Sequence, residues 1–126
     1  MNENEVSKIV VEKALKIHTT LGPGLFKSVY HSVLVYELEK ADLQIEAEKI
    51  IPVNYENTKF DKGFRADIIV NQKLIIEIKS VKNLEDVHFK QLLTYLKLTG
   101  LKLGLLINFN EVLLKNGLKR VINGWI

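Results

Sequence analysis

The feature that most constrains this chain is a pair of isoleucine- and valine-rich runs with two polar residues between them. The runs are Ala66–Val70 and Leu74–Ile78, and the polar residues are Asn71 and Gln72. β-Branched residues favour strands, and a short polar interruption between two such runs is typical of a β-hairpin. We therefore predict a hairpin at the centre of the fold.

Two acidic residues and a lysine lie within or beside these apolar runs. Asp67 belongs to the first run, and Glu77 and Lys79 lie two residues apart in the second segment. Side chains alternate along a strand, so Glu77 and Lys79 are expected to share one face. Charged groups inside strands are costly unless they have partners or a function. The three side chains therefore form either a structural salt-bridge cluster or part of a site.

The length of the hairpin loop decides whether the two carboxylates meet. With a three-residue loop, Val70 opposes Leu74. Asp67 then opposes Glu77, whereas a two-residue turn would place it opposite Ile76. Opposed residues of an antiparallel pair share a face, and adjacent carboxylates repel each other unless a cation joins them. Since Mg²⁺ prefers carboxylate and water oxygens, the longer loop predicts a magnesium site.

The order Asp67, then Glu77-Ile78-Lys79, resembles the D…ExK core of the PD-(D/E)XK nuclease superfamily. Further motifs are similar to those of the GxxExxY family of small nucleases within it, over nearly the whole chain. These motifs are Gly22-Pro23-Gly24-Leu25 leading into Ser28-Val29-Tyr30, Arg65 before Ala66-Asp67, the Q-x-x-x-Y pair Gln91 and Tyr95, and Leu105–Phe109. The resemblance implies an α/β three-layer sandwich with a restriction-endonuclease-like core, in which helices flank a central mixed β-sheet.

The resemblance also implies roles for the core residues. Asp67 and Glu77 would hold Mg²⁺ or Mn²⁺, with the backbone carbonyl of Ile78 as a further ligand. The metal would lower the pKa of a bound water and neutralise the phosphate. Lys79 would orient the hydroxide or stabilise the charged transition state.

Four further residues are candidates for the same site. The resemblance implies that Gln91 and Tyr95 face the catalytic cleft, and Arg65 and Lys82 are candidates for nucleic-acid contacts. Each also has a structural interpretation. Gln91 would be a surface amide and Tyr95 a core aromatic, while Arg65 would pair with an acid and Lys82 would be solvated.

The sequence departs from the GxxExxY pattern at one position. Gly24 and Tyr30 fit the motif, but Lys27 occupies the position of the glutamate. In the superfamily an acid on this helix commonly completes the metal site, and a protonated lysine cannot do so. His31 lies one turn further along the same helix face and is a candidate substitute, although imidazole suits Zn²⁺ or Mn²⁺ better than Mg²⁺. We therefore expect weakened metal binding.

Periodicity and turn signals predict the remaining elements. Helices are predicted at Glu5–Thr20, Leu25–Ala41 and Glu85–Thr99. The second of them is expected to face the core with Val29, Val33 and Tyr36. Strands are predicted at Gln44–Tyr55, with Pro52 marking an edge or bulge, at Leu101–Phe109, buried on both faces, and at Lys119–Ile122. We expect Trp125 to pack back on the body.

Composition and charge limit the class of protein. The chain has 126 residues, of which 47 % are hydrophobic, so we expect one domain, residues 1–126, with a sizeable core. The absence of cysteine excludes a disulfide framework and suits a cytoplasmic protein. The N-terminus lacks a secretory pattern, and no apolar run is long enough to span a membrane. The net charge of +3 is compatible with a nucleic-acid partner, and nothing indicates the oligomeric state.

The expected function is metal-dependent hydrolysis of phosphodiester bonds in DNA or RNA. One alternative is a non-catalytic nucleic-acid-binding module that kept the fold and lost the metal site. Another is a protein-interaction domain in which the charged cluster survives without a role. Divalent-ion binding separates the first function from the others, and salt-dependent nucleic-acid binding separates the second from the third.

Overall fold

The chain folds into three α-helices and five β-strands, and the computed structural model describes all residues from 1 to 126. The helices are α1 (Glu3–Leu21), α2 (Lys27–Lys40) and α3 (Asp86–Thr99). The strands are β1 (Ile45–Tyr55), β2 (Thr58–Val70), β3 (Leu74–Lys79), β4 (Leu103–Asn108) and β5 (Leu118–Ile122), and a 3₁₀ turn at Leu114–Gly117 precedes β5. None of the helices has the length and apolar character needed to cross a membrane.

The strands form one mixed sheet in the order β1-β2-β3-β4-β5. Only β3 and β4 are parallel, and the other neighbours are antiparallel. Helix α3 lies in the connection between the two parallel strands, as a crossover requires. Helices α1 and α2 pack on one face of the sheet and α3 on the other. This arrangement confirms the predicted three-layer α/β sandwich.

The two faces of the sheet have separate apolar cores. On β3, Ile76 and Ile78 pack toward α1 and α2, while Ile75 packs toward α3. Every residue of β4 is buried, which confirms the interpretation of its continuous apolar run as a strand covered on both sides. The central strands therefore provide a rigid support for side chains at their ends.

The central hairpin has the longer, three-residue loop of the two that the sequence left open. Val70 pairs with Leu74, and the loop residues Asn71 and Gln72 both have positive φ angles, at 50° and 52°. The paired register ends at Ile68 opposite Ile76. Beyond that point the two strands separate, and the positions of Asp67 and Glu77 lie in the resulting fork.

Three peripheral predictions can be compared with the structure. Strand β1 is an edge strand whose register shifts between Ile51 and Val53, so the expected irregularity at Pro52 is confirmed. The predicted core face of α2 is wrong in part: Val33 packs against the core, but Val29 and Tyr36 are exposed, and the buried residues are Tyr30, Leu34, Glu37 and Leu38. Apolar residues surround this helix, so periodicity does not define one face. Trp125 is 88 % exposed and does not pack back on the body.

Candidate functional site

Asp67 is held at the fork between β2 and β3 by contacts to both of its carboxylate oxygens. The backbone N–H of Ile78 donates to Asp67 Oδ2 at 2.8 Å, in place of a bond to the separating strand. The Nζ atom of Lys27 lies 3.0 Å from Asp67 Oδ1. The side chain of Ile78 is fully buried in the core, so only the backbone of this residue can take part in a site.

Glu77 differs from the other acidic groups in being buried with a strongly raised pKa. Only 5 % of its surface is exposed, and its Oε1 atom has no hydrogen-bond partner. Burial, and then the negative charge of Asp67 nearby, raise the pKa of Glu77 to about 8, against the opposing charges of Lys27 and Lys79. The two carboxyl groups therefore converge, as the three-residue loop predicts. A buried carboxylate oxygen without a partner is costly, and it is a feature of sites that bind a cation.

Tyr95 on α3 approaches the same carboxyl groups from the other face. Burial, followed by the charges of Glu77 and Asp67, raises the pKa of the Tyr95 hydroxyl, and Gln91 one turn away opposes this shift. The Tyr95 ring stacks on Phe64, with 3.8 Å between ring centroids and 3° between the planes. Tyr95 is thus both a packed aromatic and a neighbour of the acidic pair.

Helix α2 brings Lys27 and His31 to the opposite side of Asp67. Lys27 is the first residue of the helix, and its ammonium pairs with the carboxylate as described above. His31 donates from Nε2 to the backbone carbonyl of Asp67 at 3.0 Å, so this nitrogen is directed at the strand and not at the carboxylates. The structure therefore places Lys27 at the acidic pair and gives His31 a backbone contact.

The turn that leads into α2 is fixed by Tyr30. The hydroxyl of this fully buried residue donates to Gly22 O at 2.6 Å and accepts from Leu25 N at 3.1 Å. Its ring stacks on Phe109 with 4.5 Å between centroids. Gly24 has φ +96°, a value that favours glycine. The glycine and tyrosine of the motif thus shape the turn, and the turn sets the position of Lys27.

A polar cleft of about 370 Å³ lies between the start of α2 and the β1–β2 ribbon. No hydrophobic residue lines it, and its lining residues are Lys27, Ser28, His31, Ser32, Glu48, Arg65 and Asp67. Arg65 therefore shares this cleft with Asp67, and it has no acidic partner within ion-pair distance. Lys82 is exposed in the bend after β3 and does not line this cleft.

Sequence reasoning missed two residues that shape the site. The fully buried Asn108 accepts from Val81 N at 3.1 Å and donates to Val81 O at 2.9 Å, which fixes the chain as it leaves β3. An amide at the end of the apolar run of β4 was the available signal. Glu48 lines the polar cleft from β1, and no local pattern marks it because its position depends on the pairing of β1 with β2.

A sequence model of the PD-(D/E)XK nuclease superfamily matches residues 4–121, nearly the whole chain. The chain belongs to this superfamily. No curated protein and no solved structure matches it. Superfamily membership agrees with the restriction-endonuclease-like sheet and supports a nuclease-like function in general.

PD-(D/E)XK nucleases generally use divalent metals, and the donor chemistry of this site fits a hard cation. Mg²⁺ is usually held by one or two carboxylates and keeps several waters. Asp67 and Glu77 supply two carboxylates, and the free Oε1 of Glu77 is available as a ligand. No group of three or more His, Cys, Asp or Glu side chains is arranged to hold a metal ion. The Lys27 ammonium pairs with Asp67 Oδ1, so a positive charge lies next to this donor oxygen.

Proposed function

We propose that the chain hydrolyses phosphodiester bonds in DNA or RNA, with Mg²⁺ or Mn²⁺ held by Asp67, Glu77 and the carbonyl of Ile78. The observation that carries this proposal is the buried, unpartnered Oε1 of Glu77 beside a second carboxyl group. A bound ion would lower the pKa of the attacking water and neutralise charge on the phosphate. The Gly24 and Tyr30 turn and the Gln91–Tyr95 pair support a place within the GxxExxY family.

The other site residues have roles that follow from their positions. Lys79 lies two residues after Glu77 on β3 and acts on it electrostatically, so it would stabilise negative charge that develops on the phosphate. Tyr95, with its ring held by Phe64, and Gln91 would orient the nucleic acid on the α3 side. Arg65 would contact a neighbouring phosphate in the polar cleft, and Lys82 a more distant one.

Lys27 is expected to make this activity weak. Two opposite charges at about 4 Å attract by roughly 4 kcal/mol at an effective dielectric constant of 20, before desolvation. The Lys27 side chain is 45 % exposed, so solvent reduces the net value substantially. Even so, the ammonium competes with a divalent ion for Asp67, and binding requires its displacement.

A second function is favoured by the same ion pair. The Lys27 ammonium already compensates Asp67, and the raised pKa leaves Glu77 largely protonated at neutral pH. A site that is neutralised in this way suits a non-catalytic nucleic-acid-binding module. The two functions differ in whether the protein cuts its ligand when a divalent ion is supplied.

A nuclease assay tests the proposal. Single- and double-stranded DNA and RNA are incubated with the wild type, Glu77→Ala and the control Glu46→Ala, which changes an exposed ion pair on β1. We expect slow cleavage with Mg²⁺ or Mn²⁺, abolished by EDTA. Cleavage should fall by about 10²-fold or more in Glu77→Ala, because loss of a ligand weakens a metal ion that contributes several kcal/mol of transition-state stabilisation, and it should remain in the control. If neither the wild type nor Lys27→Glu cuts any substrate with either ion, the nuclease proposal fails, and salt-dependent binding then separates a nucleic-acid-binding module from a protein-interaction domain.

A further inference from the structure

Glu48 on β1 lies beside Asp67 on the neighbouring strand β2. Ala47 pairs with Ile68 and Lys49 pairs with Ala66, and Glu48 and Asp67 are the unpaired residues between these two pairs. Both side chains line the polar cleft, within which Lys27 contacts Asp67.

The backbone of β1 is distorted to place Glu48 there. Its φ angle is +52°, which residues other than glycine, asparagine and aspartate rarely adopt. The neighbouring Glu46 and Lys49 form an ion pair with each other and line a different surface, next to α3. The distortion therefore separates Glu48 from its strand neighbours and directs it into the cleft beside α2.

Glu48 has no counter-ion in the structure. No ion pair or side-chain hydrogen bond involves the Glu48 carboxylate. Lys27 lines the same cleft, and Asp67 is its single acidic partner. The lysine side chain is long and 45 % exposed, and only polar groups lie around it. A change of partner within the cleft therefore requires rotation of the side chain and no movement of the core.

We propose that the Lys27 ammonium moves from Asp67 to Glu48 when Asp67 and Glu77 take a divalent ion. This inference rests on the proposed function, and it makes Glu48 a positioning residue that acts on the metal site through Lys27. With Glu48 present, the displaced ammonium keeps an ionic partner and leaves the cation site. Without it, the ammonium stays beside Asp67 and repels the incoming ion.

The test is a double-mutant cycle read by Mn²⁺ affinity in metal-free buffer. The proteins are the wild type, Glu48→Gln, Lys27→Met and the double variant, with Glu46→Gln as a matched charge control on β1. We expect Glu48→Gln to weaken Mn²⁺ binding by roughly two- to fivefold, the contribution of an exposed ion pair. Lys27→Met should tighten binding, and Glu48→Gln should have no further effect in that background. Without metal, Glu48→Gln should leave the unfolding midpoint unchanged, because Lys27 pairs with Asp67 and not with Glu48 in that state.

Three results would overturn the inference. An equal loss of affinity in the wild-type and Lys27→Met backgrounds would show that Glu48 acts on the ion directly. Unchanged affinity in Glu48→Gln, while Lys27→Met binds Mn²⁺, would remove Glu48 from the site and leave the proposed function intact. If no variant binds Mn²⁺, including Lys27→Met, the metal site and this inference both fail.

Discussion

At the scale of single residues, the electrostatics of the site are dominated by Glu77. Its carboxyl group is buried beside Asp67, and burial contributes most to its raised pKa. In the unfolded chain a glutamate titrates near its ordinary value, so the folded protein binds this proton more tightly. Because the folded state holds this proton more tightly, the free energy of unfolding falls as the pH rises.

The first prediction follows from this difference. The free energy of unfolding of the wild type should fall as the pH rises from about 4.5 toward about 8, by an amount on the order of a few kcal/mol. Glu77→Gln should remove this decline and be more stable than the wild type above pH 8, because the amide never ionises. Urea unfolding across this pH range measures both curves. Parallel curves for the two proteins would contradict the raised pKa.

Much of the acidic pair was predictable from the sequence, whereas its surroundings were not. The sequence left a two- or a three-residue loop open, and the convergence of Asp67 and Glu77 follows from the three-residue loop that the structure shows. The approach of Lys27 to Asp67 followed only from the family resemblance. The position of Glu48 depends on the pairing of the long strands β1 and β2. The contact of His31 with Asp67 O depends on how α2 packs against the sheet.

At the scale of elements, the position of α2 depends on the turn that precedes it. Tyr30 connects Gly22 and Leu25 through its hydroxyl, and the Ser80 hydroxyl donates to Leu25 O at 2.7 Å, which ties the turn to the end of β3. The hairpin and α2 are therefore joined near the site. The sequence predicted both elements but not the hydrogen bonds that connect them, because these bonds join residues from separate segments of the chain.

Tyr30→Phe tests the importance of this turn. The variant keeps the stacking on Phe109 and removes both hydroxyl contacts, so we expect a loss of about 1–2 kcal/mol in the free energy of unfolding. Tyr36→Phe on the same helix is the control, because the Tyr36 side chain is 59 % exposed. Chemical denaturation of both variants provides the comparison. Equal effects of the two substitutions would show that the hydroxyl of Tyr30 does not stabilise the turn.

At the scale of the whole molecule, the sheet order and the two helical layers agree with the superfamily. Most element boundaries shifted by only a few residues, since glycine, proline and polar turn residues mark them in the sequence. Strand β2 is the exception, because it begins at Thr58 and not at the predicted Ala66. The exposed Trp125 and the core face of α2 were not predictable, because both depend on tertiary packing. The net charge of +3 gives the molecule a modest attraction for phosphate.

Nucleic-acid binding should accordingly depend on salt. We expect the logarithm of the association constant for a short oligonucleotide to fall linearly with the logarithm of salt concentration. Arg65→Ala and Lys82→Ala should each reduce the slope by about 1. Lys115→Ala, in the 3₁₀ turn, is the control and should leave the slope unchanged. Fluorescence anisotropy at several salt concentrations measures the slopes, and an affinity that does not change with salt would argue for a protein-interaction domain.

The most direct test of the account is calorimetric titration of the wild type and Lys27→Glu with Mg²⁺ and Mn²⁺. If Asp67 and Glu77 form a divalent-ion site that Lys27 obstructs, the wild type should bind weakly and Lys27→Glu more tightly, and that binding should be lost when Glu77→Ala is added. Tight binding by the wild type that is unchanged in Lys27→Glu would contradict this account.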